Sequence, residues 1–184
     1  MSVRKLGALD ADILTLLPDN TERLIVPASV RGLMQDVRES LAEAWGLLDC
    51  TANTNVLNLN TTPRTLTGVW TGKVQDAGMG ADQTAGTVTG YSAGGWNHIF
   101  QFVASMVGPT GTEITLTLRV NGTDTLVIGT TQLRGNNAPQ ILQVESFREA
   151  APAGAVYQIM IKADRNATVL MPRGYMRIMR RPTV

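Results

Sequence analysis

The apolar residues of segment 27–50 recur at the spacing of an α-helix. Successive apolar positions lie four, three, four, three and four residues apart, which is the heptad pattern of a helix with one apolar face. Pro27 suits the first turn of a helix, where a missing backbone N–H costs nothing. Leu33 and Trp45 widen the apolar face on one side. The spacing therefore predicts a helix that begins at Pro27 and ends at about residue 46–50, preceded by a short arm.

An isolated helix of about twenty residues is marginally stable in water, so this apolar face needs a partner surface. Two interpretations stay open. The helix lies on its own domain, or it packs against copies of itself in a trimer or against a larger assembly, and we favour packing between subunits. The predicted oligomer or partner interface consists of Val30, Leu33, Met34, Val37, Leu41, Ala44, Trp45 and Leu48.

Beyond residue 62 the apolar pattern changes to the period of two that is typical of strands. Four apolar residues alternate with polar ones from Ile114 to Val120, and Asn121-Gly122 follows as a strong hairpin signal. A second strand presents one side through His98, Phe100, Phe102, Ala104 and Met106. Further strands are expected at 66–74, 87–89, 125–128, 140–147, 156–163 and 175–180.

About eight short strands separated by turns predict a mainly β chain that folds as an antiparallel β-sandwich, in particular a jelly roll. We divide the chain into an arm and anchor helix (1–50), a linker (51–62) and a jelly-roll β domain (63–184). Segment 76–95 is rich in glycine and is interpreted as a long loop. Long loops often carry function, so the aromatic residues around it form a possible exposed recognition loop: Trp70, Tyr91 and Trp96.

Composition and charge narrow the classes of function. The net charge is +1, from 16 basic and 15 acidic residues, so no charge asymmetry indicates nucleic-acid or membrane binding. The basic tail Arg173–Arg181 alternates, and we expect its arginines on the solvent face of a last strand. The start of the chain lacks the pattern of a signal peptide, and no apolar run reaches the roughly 18 residues of a membrane span. We therefore expect a chain that is made and folded in a cytoplasm.

Residues able to carry chemistry are scarce. The chain has one histidine, His98, and one cysteine, Cys50, which cannot supply a nitrogen and sulfur zinc site within one chain. His98 lies in an apolar strand pattern and is interpreted as a buried or interface histidine with a hydrogen bond. Cys50 is interpreted as a small apolar filler. We therefore predict no catalytic residues, no metal site, no cofactor and no enzymatic activity.

Two segments resemble a known class of proteins. Leu17–Leu41 looks like the N-terminal element of tailed-bacteriophage appendage proteins, although Val26-Pro27-Ala28-Ser29 departs from the usual pattern. Trp96–Val184 resembles the compact trimeric jelly rolls of tumour-necrosis-factor type in phage fibres and decoration proteins, and Gly174–Arg180 is similar to their closing strand. The resemblance implies a virion protein, usually a homotrimer, that is assembled in the host cytoplasm and contacts other virion proteins.

The resemblance leads us to expect a structural component of a short tail fibre, tail tip or head fibre, with residues 1–50 as the anchor. A capsid decoration protein that stabilises the head is the alternative within the same class. A carbohydrate-binding module is the alternative from a different class, and it would bind a host surface glycan through exposed aromatic residues.

Overall fold

A computed structural model of the chain describes residues 44–51, 55–75, 78–92 and 95–181. The residues Ala44–Arg180 form one compact unit. The described residues contain strands and no α-helix. The strands are β1 Trp45–Cys50, β2 Val56–Leu59, β3 Arg64–Thr65, β4 Gly72–Gln75, β5 Gly80–Asp82, β6 Thr87–Thr89, β7 Trp96–Gly108, β8 Glu113–Val120, β9 Thr123–Gln132, β10 Gly135–Ala151, β11 Val156–Ala163 and β12 Ala167–Arg181.

The strands form two antiparallel sheets. In sheet 1 the order is β10-β7-β12-β1-β4, with β2 also paired to β12. In sheet 2 the order is β5-β6-β11-β8-β9, with β3 also paired to β11. Four pairs are nested along the chain: β1 with β12, β6 with β11, β7 with β10, and β8 with β9. One long hairpin folded over on itself in this way is the jelly-roll arrangement, so the predicted β-sandwich is confirmed.

The core forms where the alternating apolar residues of the two sheets meet. On β8 the predicted inward positions Ile114, Leu116, Leu118 and Val120 are all buried. On β7 the predicted side is buried too, from His98 to Met106. Full burial of one such apolar side chain contributes about 1.5–3 kcal/mol, so these strands fix which face of each sheet points inward.

The hairpin between β8 and β9 turns at the predicted Asn121-Gly122. Both residues have positive φ, 51° and 79°, as a type I′ turn requires. The Asn121 side chain also accepts a hydrogen bond from the backbone N–H of Val156 at 2.8 Å. This turn therefore connects its own hairpin to β11, the next strand in sheet 2.

The predicted helix does not extend through residues 45–50. They form β1, which pairs with β12 on one side and β4 on the other. Ala44 and Leu48 are buried within the compact unit at 3% and 0% exposure, so neither lies on an oligomer interface. A spacing of four places two residues on the same side of a strand as well as of a helix, and pairing on both edges favours the strand. The remaining predicted interface residues, Val30, Leu33, Met34, Val37 and Leu41, lie outside the described residues.

Three further segments differ from their predicted structure. The predicted linker 51–62 contains β2, whose Leu57 and Leu59 are buried. Only the end of the predicted strand 66–74 is a strand, β4; residues 66–71 form a loop after β3, with a positive φ of 74° at Gly68. The predicted loop 76–95 holds the hairpin of β5 and the expected short strand β6. Asp82 closes that hairpin by accepting hydrogen bonds from two backbone N–H groups, which is the usual role of aspartate in turns.

Candidate functional site: an apolar groove on sheet 1

The outer face of sheet 1 carries an apolar groove with a volume of about 530 Å³. The outer face of an antiparallel sheet is normally polar. Here four neighbouring strands supply apolar and aromatic side chains to it, and the exposed fraction of Ile141 reaches 74%. The residues that line the groove include Trp45, Leu47, Val103, Ile141, Tyr175 and Arg177.

A glycine on β12 shapes the groove. Gly174 lines the groove and pairs with Cys50 of β1. A Cβ atom at Gly174 would lie 2.8 Å from the Val103 carbonyl oxygen and 3.2 Å from the Ala104 Cα atom of β7. Backbone atoms cannot move aside as the end of a flexible side chain can. Glycine therefore permits the close approach of β12 and β7 at the groove.

A row of polar side chains crosses this apolar face. Arg177 Nη2 on β12 donates to Gln101 Oε1 on β7 at 2.6 Å, and Gln101 Nε2 donates to Glu145 Oε2 on β10 at 3.1 Å. The Arg177 Nε atom is buried and has no hydrogen-bond partner among the described residues. The row thus places a cation at the centre of the sheet and an exposed carboxylate on its edge strand.

The apolar character extends to both edge strands of sheet 1. Phe147 on β10 is 55% exposed and Val74 on β4 is 49% exposed. Val74 is paired with Leu47, which connects this edge to the groove. Exposed apolar side chains that are grouped on one face of a domain mark an interaction site. The outer face of sheet 1 is therefore the candidate functional site of the described residues.

Most of this face was not predicted from the sequence, although a signal was present. Ile141-Leu142, Phe102-Val103 and Leu47-Leu48 are adjacent apolar residues within strands. Adjacent strand residues point to opposite faces, so each pair places one apolar side chain in the core and the other outside. Strands that are apolar on both faces indicate a sheet that is covered on both faces. Of the predicted interface residues that the structure describes, Trp45 lies on this outer face.

The predicted exposed recognition loop is wrong. Trp70, Tyr91 and Trp96 are buried, with exposed fractions of 4%, 8% and 1%. The Trp70 indole N–H donates to the Leu66 carbonyl at 2.8 Å. The Tyr91 and Trp96 rings meet edge to face, with their centroids 5.8 Å apart. Rings packed in this way offer no free face on which a sugar could stack.

The Arg180 side chain is buried as well, at 3% exposure, which corrects the expectation that it lies on the solvent face. Its guanidinium carbon lies 4.6 Å from the ring centroid of Tyr91 and 4.6 Å from that of Trp96. Contacts at this distance are cation–π interactions. Met176, Ile178 and Arg180 share the inward side of β12, so the alternation in the sequence already placed this arginine inside. Arg173 and Arg181 are exposed, as predicted.

His98 is buried with a hydrogen bond, as predicted. Its Nδ1 atom lies 2.8 Å from the Tyr157 hydroxyl, and its Nε2 atom accepts from the Tyr91 backbone N–H at 3.3 Å. Burial, assisted by the positive charge of Arg148, lowers the pKa of His98 to about 4. Burial raises the pKa of Tyr157 to about 12. Both ring nitrogens are therefore committed to a structural network around a neutral imidazole.

This neutral histidine predicts a loss of stability in acid. The ordinary pKa of 6.5 applies in the unfolded chain and about 4 applies in the fold, so between these pH values only the unfolded chain binds the proton. The free energy of unfolding should be fully retained above pH 6.5 and fall by about 3 kcal/mol as the pH decreases to 4. Urea unfolding at fixed protein concentration across this range measures the effect. A His98→Gln variant with an unchanged slope between pH 6.5 and 5 would contradict it.

Cys50 is buried and is a structural residue in this fold. Its Sγ atom accepts a hydrogen bond from Asn55 Nδ2 at 2.9 Å and donates to the Met171 carbonyl at 3.5 Å. Within residues 44–51, 55–75, 78–92 and 95–181, no group of three or more histidine, cysteine, aspartate or glutamate side chains could hold a metal ion. The same residues include no helix with the length and apolarity to cross a bilayer.

No family model and no curated protein sequence matches the chain. Among solved structures, the chain is similar to murine APRIL, with 11% sequence identity, a TM-score of 0.48 and coverage of 76% of this chain and 100% of that one. It is also similar to the globular domain of the zebrafish complement 1qA protein, with 12% identity, a TM-score of 0.43 and coverage of 73% and 96%. The assignment of the jelly roll rests on the strand pairing described above.

Proposed function

We propose that this chain is a structural, non-enzymatic virion protein of a tailed bacteriophage that assembles as a homotrimer in a short tail fibre, tail tip or head fibre. The phage assignment is supported by the resemblance of Leu17–Leu41 to appendage proteins. It makes the virion the final location, after assembly in the host cytoplasm, and makes residues 1–43, which precede the compact unit, the contact with other virion proteins.

The observation that carries self-association is the apolar outer face of sheet 1. Ile141 and Phe147 are 74% and 55% exposed on the edge strand β10, and the groove lies beside them. In a ring of three copies each subunit uses two different patches, because the contacts are head-to-tail. The end of β10 that carries Phe147 and the groove lined by β1, β12, β7 and Ile141 supply two such patches on one sheet.

The oligomeric state of an Ile141→Asp variant tests the proposed trimer. Burying an unpaired carboxylate in an apolar interface costs several kcal/mol, so the dissociation constant should rise by roughly 100-fold or more. Sedimentation equilibrium over a concentration series measures this constant. We expect a trimer for the wild type and a monomer for the variant at the same concentration.

Val127→Asp is the matched control, because Val127 is 60% exposed on β9 in sheet 2. It introduces the same charge at a similarly exposed apolar position, and the trimer should persist. A wild-type chain that stays monomeric at concentrations of tens of micromolar would contradict the trimer.

Labelling intact particles with an antibody against the chain tests the location. Label on the tail or on a head fibre supports the proposal, label over the capsid surface supports a decoration protein, and unlabelled particles contradict both.

A further inference from the structure

We propose that Arg177 of one copy binds the partner subunit's Glu145 across the subunit boundary, and that this ion pair sets the register of the assembly. The inference rests on the proposed self-association and adds the residues that align the two sheets. It is carried by the polar row on the outer face of sheet 1.

The Arg177 guanidinium has unused capacity for hydrogen bonds. It donates through Nη2 to Gln101, while its buried Nε has no hydrogen-bond partner among the described residues. The Tyr175 ring lies beside it, with 6.0 Å between the guanidinium carbon and the ring centroid. Because the Nε atom is already buried within the single chain, an incoming carboxylate would bind the half-exposed remainder of the guanidinium, whose charge lies in apolar surroundings.

The Glu145 carboxylate is placed to be that group. It is exposed on β10, an edge strand of sheet 1, and among the described residues its hydrogen bond is the one from Gln101 Nε2. An ionised carboxylate offers about four acceptor positions, so most of its capacity remains. The acceptor Glu145 thus lies at the edge of the face, and the donor Arg177 lies at its centre. The edge of one copy is therefore complementary in charge to the centre of another.

The apolar side chains around this pair are the reason that it can set the register of the assembly. Apolar groove walls associate without strong preference for register, since burial is non-directional. A charge that enters such a groove out of register would be buried without a partner, which is costly. A single polar position within an apolar interface is an established means of fixing register. Arg177 and Glu145 would favour the one alignment in which both are paired.

Two variants, each with one reversed charge, test whether Arg177 and Glu145 pair between copies or belong only to the hydrogen-bonded row within one chain. Each of the variants Glu145→Lys and Arg177→Glu brings like charges together between copies, and we expect each to raise the dissociation constant of the wild-type assembly by roughly 100-fold. In a mixed ring of three, one contact pairs the two introduced charges, one restores the native pair, and one keeps like charges together. Sedimentation equilibrium should then detect mixed assemblies at a concentration where each variant alone is monomeric.

The outcomes separate this inference from the proposed function. A monomeric wild type overturns the proposed function. A wild-type oligomer with both variants still fully assembled, or a mixture that stays monomeric, overturns the ion pair and leaves the proposed function standing.

A folding control accompanies the charge-reversal variants. Near-ultraviolet circular dichroism checks that each variant is folded. If a reversed charge prevents folding, the neutral variants Glu145→Gln and Arg177→Gln replace them, each with an expected weakening of about tenfold. Unchanged affinity in both neutral variants would equally overturn the pair.

Discussion

Replacing Gly90 by alanine should lower the free energy of unfolding by about 3 kcal/mol, at the upper end of the usual cost of overpacking. A Cβ atom at this position would lie 2.6 Å from His98 Nδ1 and closer still to Cε1. The imidazole cannot easily move aside, because it is held on both sides by Tyr157 and the Tyr91 backbone. Urea unfolding at pH 7 and fixed protein concentration measures the change.

Gly129→Ala is the matched control for this prediction. Its added Cβ would meet only Val144 Cγ2 at 3.5 Å, an ordinary van der Waals distance, so stability should stay within about 0.5 kcal/mol. The cause is tested by adding His98→Ala to Gly90→Ala. If the clash is with the imidazole, alanine at position 90 should cost almost nothing once the ring is gone, giving a coupling energy of about 3 kcal/mol. Equal costs of Gly90→Ala with and without the ring would refute this explanation.

Arg180→Ala should lower the free energy of unfolding by about 3–5 kcal/mol, the range for truncating a large buried side chain. The substitution removes the cation–π contacts with Tyr91 and Trp96, each worth up to about 2 kcal/mol when desolvated. It also leaves a cavity beneath these rings. Chemical denaturation of the two proteins, monitored by tryptophan fluorescence, measures the loss.

Two further substitutions separate charge from packing at Arg180. Arg181→Ala changes the next residue, which is exposed, and should have an effect within about 0.5 kcal/mol. Arg180→Met retains most of the volume without the charge, and we expect it to recover about half of the loss caused by alanine. If methionine restored the full stability of the wild type, the guanidinium charge would contribute nothing and the cation–π account would be wrong.

The sequence predicted the strands whose alternation is unambiguous. β8 was placed correctly because polar and apolar residues alternate there, and the Asn121-Gly122 turn followed from its need for positive φ. β1 was missed because Ala44 and Leu48 fit a helix and a strand equally well. Pairing with β12, more than a hundred residues away along the chain, decides between the two, and no local pattern contains that information.

The candidate site was harder to predict than the fold, for a related reason. The groove joins Trp45 of β1 to Ile141 of β10, and these strands become neighbours of β12 and β7 only in the finished sheet. Residue type was a misleading guide here, since tryptophan and tyrosine near a glycine-rich segment suggested exposed sugar-stacking residues. The alternation of Trp96 with His98 and Phe100 on β7 was the better guide, because it places the Trp96 indole in the core.

The pairing of Trp45 with Met179 has a consequence for how the molecule is made. Because the first strand of the compact unit is held by the last, sheet 1 cannot be completed until nearly the whole unit has left the ribosome. Closing a contact over such a separation is entropically costly and slows folding. Until then the emerging polypeptide exposes unpaired strand edges, a state prone to aggregation, so synthesis would benefit from chaperone protection during translation.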